Sequence, residues 1–153
     1  MKITAEFLKK HKACADGYRY VAEKGWLGLE ATLFLKNLMA DKKYGWANWL
    51  IVRVMEKPQH VAYAIFAAEQ VIDIFEKQYP KDDRPRKAIE AAKKYLEKPM
   101  ARAAGTAAWA ARTSAWAAEA AWAAEAAEAA GAAEKEKTQI KILEYGIKML
   151  GEK

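Results

Sequence analysis

Five charged side chains between residues 69 and 86 are candidates for acid–base catalysis or for binding a charged ligand. Glu69, Asp73 and Glu76 recur at intervals of four and three residues, which places them on one side of a helix as an acidic stripe. Arg84 and Arg86 follow within ten residues of that stripe. Unpaired carboxylates on one face could perform acid–base hydrolysis, whereas carboxylates beside arginines are more typical of neutralised ion pairs.

The structural interpretation of this region is an arginine–carboxylate network that joins three helices. Arg53 belongs to it because helical spacing puts this side chain on the face of Trp46 and Trp49, where a lone buried charge would cost several kcal/mol. The other members of the predicted network are Glu69, Asp73, Glu76 and Asp83.

The functional interpretation is a site for a small anionic ligand. Asp83 and Pro85 indicate the start of a helix, since aspartate is a common N-cap residue and proline is tolerated in the first turn. Arg84, Arg86 and the free N–H groups of that helix could together hold an anion. Catalysis by the acidic stripe is a third interpretation.

The tryptophans offer a second kind of binding surface. Trp109 and Trp116 lie seven residues apart with Arg112 between them, so an exposed trio could stack on a base, a nucleotide or a partner's side chain. The alternative is ordinary core packing, because large rings at helical spacing fill the space over alanine-lined neighbours. Both interpretations stay open for the six tryptophans of the chain.

Other chemistry finds little support in the sequence. His11 and His60 are the two histidines, and neither has a second ligand at helical spacing, so we expect no metal ion. No glycine-rich phosphate loop is present, and we expect no cofactor and no catalytic residue. The single cysteine, Cys14, is interpreted as a small core residue near the end of a short helix.

Residues that typically start or end helices recur along the chain and predict an all-α fold of about six to eight helices. Thr4 is interpreted as an N-cap, Asp16–Gly17 as a break, and Pro58 as a stop, because its ring cannot continue a helix without losing a hydrogen bond. The predicted helices before the alanine-rich region span residues 5–13, 18–24, 29–39, 46–56, 59–79 and 84–97.

Alanine dominates the next stretch, with 20 of the 33 residues from 101 to 133. High helix propensity predicts a long helix, and its methyl surface would let neighbouring helices approach closely. A continuous helix would be too long for a domain of this size, so we expect a break at Gly131 before the amphipathic segment 138–150.

The length and net charge of the chain indicate its domain organisation and the kinds of partner it could bind. The 153 residues suit a single helical domain, with a mixed helical part at 1–98 and the alanine-rich and C-terminal helices at 99–153. A net charge of +6 permits an acidic partner, but the lysines are scattered and do not favour nucleic acid. No uncharged run is long enough to cross a membrane, and no secretion signal is evident, so we expect a cytoplasmic protein whose oligomeric state stays open.

The stretch Ala67-Ala68-Glu69-Gln70-Val71-Ile72-Asp73-Ile74-Phe75-Glu76, followed by Tyr79-Pro80 and the run Asp82-Asp83-Arg84-Pro85-Arg86-Lys87-Ala88-Ile89-Glu90-Ala91-Ala92, carries a family resemblance. It resembles the immunity-protein family of bacterial polymorphic-toxin systems, especially alanine-rich relatives carried by phages and prophages. Glu69, Asp83, Arg84 and Arg86 match the family's signature. Many relatives carry histidines in the alanine-rich region, where this chain has tryptophan and glutamate.

The resemblance implies a small intracellular helical protein without catalysis that neutralises a toxin. Our leading hypothesis is a binding protein of phage or mobile-element origin, an immunity or counter-defence factor that occupies a toxin or a host defence component. The alternative is sequestration of a nucleotide-like or other anionic small molecule by arginine and tryptophan. The third hypothesis is a hydrolase that uses the acidic stripe.

Overall fold

The protein is all-α, as predicted. The computed structural model describes residues 1–97 and 132–151, and within them lie eight helices, with an isolated antiparallel bridge between Lys2 and Glu30 as the β feature. The helices are α1 (Ala5–Lys10), α2 (Ala15–Glu23), α3 (Ala31–Ala40), α4 (Tyr44–Val54), α5 (Lys57–Glu69), α6 (Ile72–Gln78), α7 (Arg84–Glu97) and α8 (Ala132–Gly151). None of these helices is long and apolar enough to cross a membrane.

Two compact units divide the chain. The first comprises residues 1–55 and 143–153, and the second comprises residues 56–142. Trp109, Arg112, Trp116, the close packing expected of the alanine-rich helix and the break expected at Gly131 all lie outside the described residues.

The first unit begins with a capped helix. Thr4 is the N-cap of α1, as predicted, and its hydroxyl oxygen accepts a hydrogen bond from the Phe7 N–H at 3.2 Å. The segment before it is tied to the segment before α3 by main-chain hydrogen bonds, in which Ile3 N–H donates to the Leu29 carbonyl and Gly28 N–H donates to the Ile3 carbonyl. Gly28 has a φ of +89°, a conformation that favours glycine.

The predicted break at Asp16–Gly17 is wrong, because both residues lie inside α2. The chain turns earlier, at Lys12, whose φ is +57°, and Cys14 then caps α2 by accepting a hydrogen bond from the Gly17 N–H on its sulfur. Cys14 is exposed, so its interpretation as a core residue is also wrong. The core of this unit is instead formed by larger side chains, the most buried of which are Ile3, Phe34, Leu35, Leu38, Leu50, Ile51 and Leu143.

The predicted end of a helix at Pro58 is wrong. Helix α4 already ends at Val54, and Pro58 lies in the first turn of α5, where its missing N–H costs nothing. The entry into α5 is fixed by Glu56, whose N–H donates to Oε1 of Gln59 at 3.0 Å.

The single helix predicted for residues 59–79 is two helices. The Gln70 side chain donates to the Phe66 carbonyl at 3.1 Å, and Val71 leaves helical geometry with φ −125° and ψ −9°. Valine has restricted side-chain freedom in a helix, which weakens helical continuation at this point. Helix α6 therefore starts afresh at Ile72 and leads into the turn before α7.

Packing of α5 against α7 forms the core that holds this turn. Val61 and Ile65 of α5 are 8% exposed, as is Ala92 of α7. Ile89, Tyr95 and Leu96 pack around them and are partly buried. Because α6 and its turn connect these two helices, the α5–α7 core fixes where the charged turn residues are presented.

Candidate functional site

The connection between α6 and α7 is a short hydrogen-bonded turn. The Asp82 N–H donates to the Tyr79 carbonyl at 3.0 Å, and Pro80 lies between them at a position that favours its fixed φ. The Arg84 N–H in turn donates to Oδ1 of Asp82 at 3.2 Å. Asp83 precedes α7 as predicted, and its carbonyl accepts from the Lys87 N–H at 3.0 Å.

Arg84 is held by a partner that the sequence analysis did not single out. Its Nε and Nη2 donate to the two carboxylate oxygens of Asp82 at 2.8 and 2.6 Å, an arrangement that is both charged and bidentate. The hydrogen bonds from Arg84 lower the pKa of Asp82 to about 2, and the same pair raises the pKa of Arg84. The Arg84 side chain nevertheless stays 78% exposed.

Arg86 joins α7 to α6 through the acidic stripe. Its Nε and Nη2 donate to the two carboxylate oxygens of Glu76 at 2.5 and 2.6 Å, and Asp73 lies 3.7 Å from Nη2. Hydrogen bonding to Arg86 lowers the pKa of Glu76, and the partnership raises the pKa of Arg86. The Arg86 side chain is half exposed, so this ion pair is at the surface and not buried.

The remaining acids of the predicted network have other partners. Glu69 pairs with Lys93 of α7 at 2.6 Å, and Asp83 pairs with Lys87 one turn later at 2.7 Å. The structure therefore brings Asp73, Glu76 and Arg86 together, and it holds Glu69 and Asp83 in separate pairs. Acids engaged in this way are neutralised by cations, which does not favour acid–base work.

Arg53 is satisfied within its own helix. It donates from Nη1 to the Trp49 carbonyl at 2.6 Å, and its guanidinium lies 4.0 Å from the centre of the Trp49 ring. Partial burial lowers the pKa of Arg53. A stacked ring and a carbonyl oxygen thus provide the contacts that the sequence analysis assigned to carboxylates.

Aromatic rings and lysines form a second polar cluster, in the first unit, that the sequence analysis missed. The Tyr20 ring lies 6.0 Å from Trp26 and 5.4 Å from Trp46, measured between ring centres. The Lys24 ammonium lies over the Tyr20 and Trp26 rings, at 5.5 and 5.8 Å from their centres. The Lys43 ammonium lies over Tyr20 and Trp46, at 5.1 and 5.3 Å.

Asp41 anchors this cluster from the C-terminal end of α3. Its Oδ2 accepts from the Tyr20 hydroxyl at 2.6 Å and lies 3.0 Å from Lys24 Nζ. These two hydrogen bonds lower the pKa of Asp41, and the bond to Asp41 raises the pKa of both Tyr20 and Lys24. The cluster joins α2 to the α3–α4 connection, so we interpret it as part of the scaffold.

Exposed apolar side chains single out the segment from α6 to the start of α7. Four large hydrophobic residues among those described are more than 40% exposed: Met1, Leu33, Ile74 and Tyr79. Two of the four, Ile74 at 43% and Tyr79 at 51%, lie here together with Arg84. We call the side chains of Ile74, Tyr79 and Arg84 the α6 corner.

The α6 corner is built on ordered contacts. The centres of the Tyr79 and Phe75 rings lie 5.0 Å apart, and the Tyr79 N–H donates to the Phe75 carbonyl. The carboxylate of Asp82 holds the Arg84 guanidinium in place. Tyrosine and arginine are the residue types that most often contribute large shares of binding energy at protein interfaces. Their arrangement before binding also reduces the entropy lost on association.

Comparison with known proteins gives one match that covers most of the chain. Residues 51–153 match the family model described as "Imm-5 like putative immunity protein". That range contains α5, α6, the turn and α7, and hence the whole α6 corner. No curated protein and no solved structure matches the chain.

Proposed function

The chain belongs to the Imm-5 like immunity-protein family, and from that premise we propose that it acts by occupying a protein partner, a toxin of a bacterial polymorphic-toxin system, without catalysis of its own. A phage or mobile-element origin is part of this proposal. The α6 corner is the contact surface, because it combines exposed apolar area with a fixed arginine inside the matched region.

Exposure of the apolar residues carries this proposal. Ile74 and Tyr79 are 43% and 51% exposed. They remain exposed although the helices before and after them in the chain, α5 and α7, pack together in a core. Exposed apolar patches rimmed by polar groups are typical of protein-interaction sites, and we propose that Ile74 and Tyr79 belong to one. A partner that covers both residues would gain their burial and would exclude water from the Arg84–Asp82 pair.

The state of the arginines supports a protein partner over a small anion. Arg84 already donates to both oxygens of Asp82, and Arg86 already donates to both oxygens of Glu76. An anionic ligand would find only the remaining N–H groups of each guanidinium and would be repelled by the adjacent carboxylate, whereas a protein surface can offer an acceptor to the guanidinium and a donor to the carboxylate. The acidic side chains are likewise paired, so the hydrolase hypothesis gains no support.

Co-expression with a toxin domain of a bacterial polymorphic-toxin system tests this function. The toxin domain alone should arrest bacterial growth, and co-expression of the wild-type chain should restore growth for the toxin that this chain neutralises. Ile74→Asp and Arg84→Glu should each abolish the rescue, because a charge at the centre of an interface disrupts its packing and its electrostatic match.

Leu33→Asp is the matched control, because Leu33 has a similar exposure of 47% but lies on α3, outside the α6 corner. This variant should restore growth as the wild type does. Circular dichroism on every variant checks that each remains helical. Full rescue by both corner variants, or no rescue by the folded wild type, would contradict the proposal.

A further inference from the structure

A groove between α1 and α2 lies in the first unit and shares no residue with the α6 corner. Its volume is about 530 Å³. The apolar part of its lining, here called the floor, consists of Leu8, which is 4% exposed, and of the methyl groups of Ala13, Ala15 and Ala22. None of the three alanines is buried, so their methyl groups supply solvent-accessible apolar area in the groove.

Cationic side chains stand on both walls of the groove. Lys9 comes from α1 and Arg19 from α2, and both are exposed. Arg19 has a weak local partner, because Asp16 lies 3.4 Å away and the two side chains are 68% and 84% exposed. Ion pairs of this kind exchange readily with other carboxylates because water screens them.

The N-terminal part of the chain has a net charge of the same sign. Residues 1–55 contain ten lysines and arginines against five aspartates and glutamates. Glu23 is the acid among the lining residues, and Tyr18 adds ring surface to the α2 wall. An excess of positive charge around an apolar floor attracts acidic segments and speeds their association.

We propose that the α1–α2 groove is a docking site for an acidic peptide segment of a protein partner. One apolar side chain of the segment packs on the alanine methyl groups of the floor, and its carboxylates pair with Lys9 and Arg19. All the lining residues precede residue 51, outside the region that the family model matches. The groove can therefore fail as a site while the α6 corner still binds a toxin, and the reverse also holds.

Titration of the ¹⁵N-labelled full chain with a defined peptide tests this inference. The probe is a heptapeptide with one central leucine flanked on both sides by aspartates and glutamates. Backbone amide signals of Ala13, Ala15 and Ala22 should shift together and saturate with a Kd of about 1 mM or tighter, the affinity expected of a short linear peptide. Absence of such shifts would overturn the proposal.

Two comparison probes separate this occupant from others. A peptide with glycine in place of the leucine should bind at least about fivefold more weakly, because it leaves the apolar floor uncovered. An oligothymidylate of equal charge should not saturate the same amides. Equal binding by the glycine peptide, or tighter binding by the oligonucleotide, would mean that the surface recognises charge alone and would refute the docking of an apolar side chain.

Three variants locate the binding energy. Lys9→Glu should weaken the leucine peptide at least about fivefold, and Lys36→Glu, an equal charge change at an exposed position of α3, should change it less than about twofold. Ala22→Phe should block binding without any change in charge, because the ring fills the groove. Equal loss for Lys9→Glu and Lys36→Glu, or unchanged binding to a folded Ala22→Phe variant, would contradict the assignment.

Discussion

Replacement of Ile65 by alanine should show how far the α5–α7 core holds the second unit together. Ile65 is 8% exposed and packs with Val61 and Ala92. The substitution removes three carbon atoms, worth about 0.8 kcal/mol each in lost burial, and leaves a cavity, so we expect a loss of about 3 kcal/mol in the free energy of unfolding. For a chain of this length, that corresponds to a fall of roughly 6–12 °C in Tm.

Ile74→Ala is the matched control, since it makes the same chemical change at a residue that is 43% exposed. It leaves no enclosed cavity, and alanine has the higher helix propensity, so the loss should stay below about 1 kcal/mol. Urea unfolding followed by circular dichroism at 222 nm measures both variants. Equal losses for the two variants, or a loss below about 1 kcal/mol for Ile65→Ala, would refute the packing described for α5 and α7.

Three further predictions concern caps and ion pairs. Thr4→Ala should lower the free energy of unfolding by about 1 kcal/mol in urea melts, because the Phe7 N–H loses its acceptor. Asp41→Asn should lower Tm at pH 7, and its difference from the wild type should shrink in melts below about pH 4, because a carboxyl whose pKa is lowered in the folded state contributes stability only while it is ionised. Arg86→Ala should lower Tm by no more than about 2–4 °C, and a double-mutant cycle with Glu76→Gln should show that most of this fall is shared, because the pair is half exposed.

Local signals in the sequence were sufficient to predict the helical fold. Thr4 before an amphipathic run and Asp83 before Arg84-Pro85 are short-range features, and both lie at the predicted helix starts. The break at Gln70–Val71 carries no glycine or proline, and the Phe66 carbonyl there accepts from both the side chain and the N–H of Gln70. Such a break depends on competition between side chain and backbone, which periodicity does not reveal.

Pairing of the charged residues was harder to predict than their proximity. The acidic stripe and the arginines are adjacent in sequence, and Arg86 does contact Asp73 and Glu76. The pairing depends on the turn between α6 and α7. In this turn Arg84 contacts Asp82 and not the acidic stripe. The surface position of these pairs also depends on how α5 and α7 pack, and that information is not local.

Calorimetric titration of the purified chain with the toxin domain whose growth arrest it relieves measures the proposed interaction itself. We predict a 1:1 complex with a Kd in the nanomolar range, as for specific interfaces of standard size. Tyr79→Ala and Arg84→Ala should each raise the Kd at least about 30-fold, and Leu33→Ala should change it less than about twofold. Absence of a complex, or unchanged affinity in both corner variants, would contradict an immunity function exerted through the α6 corner.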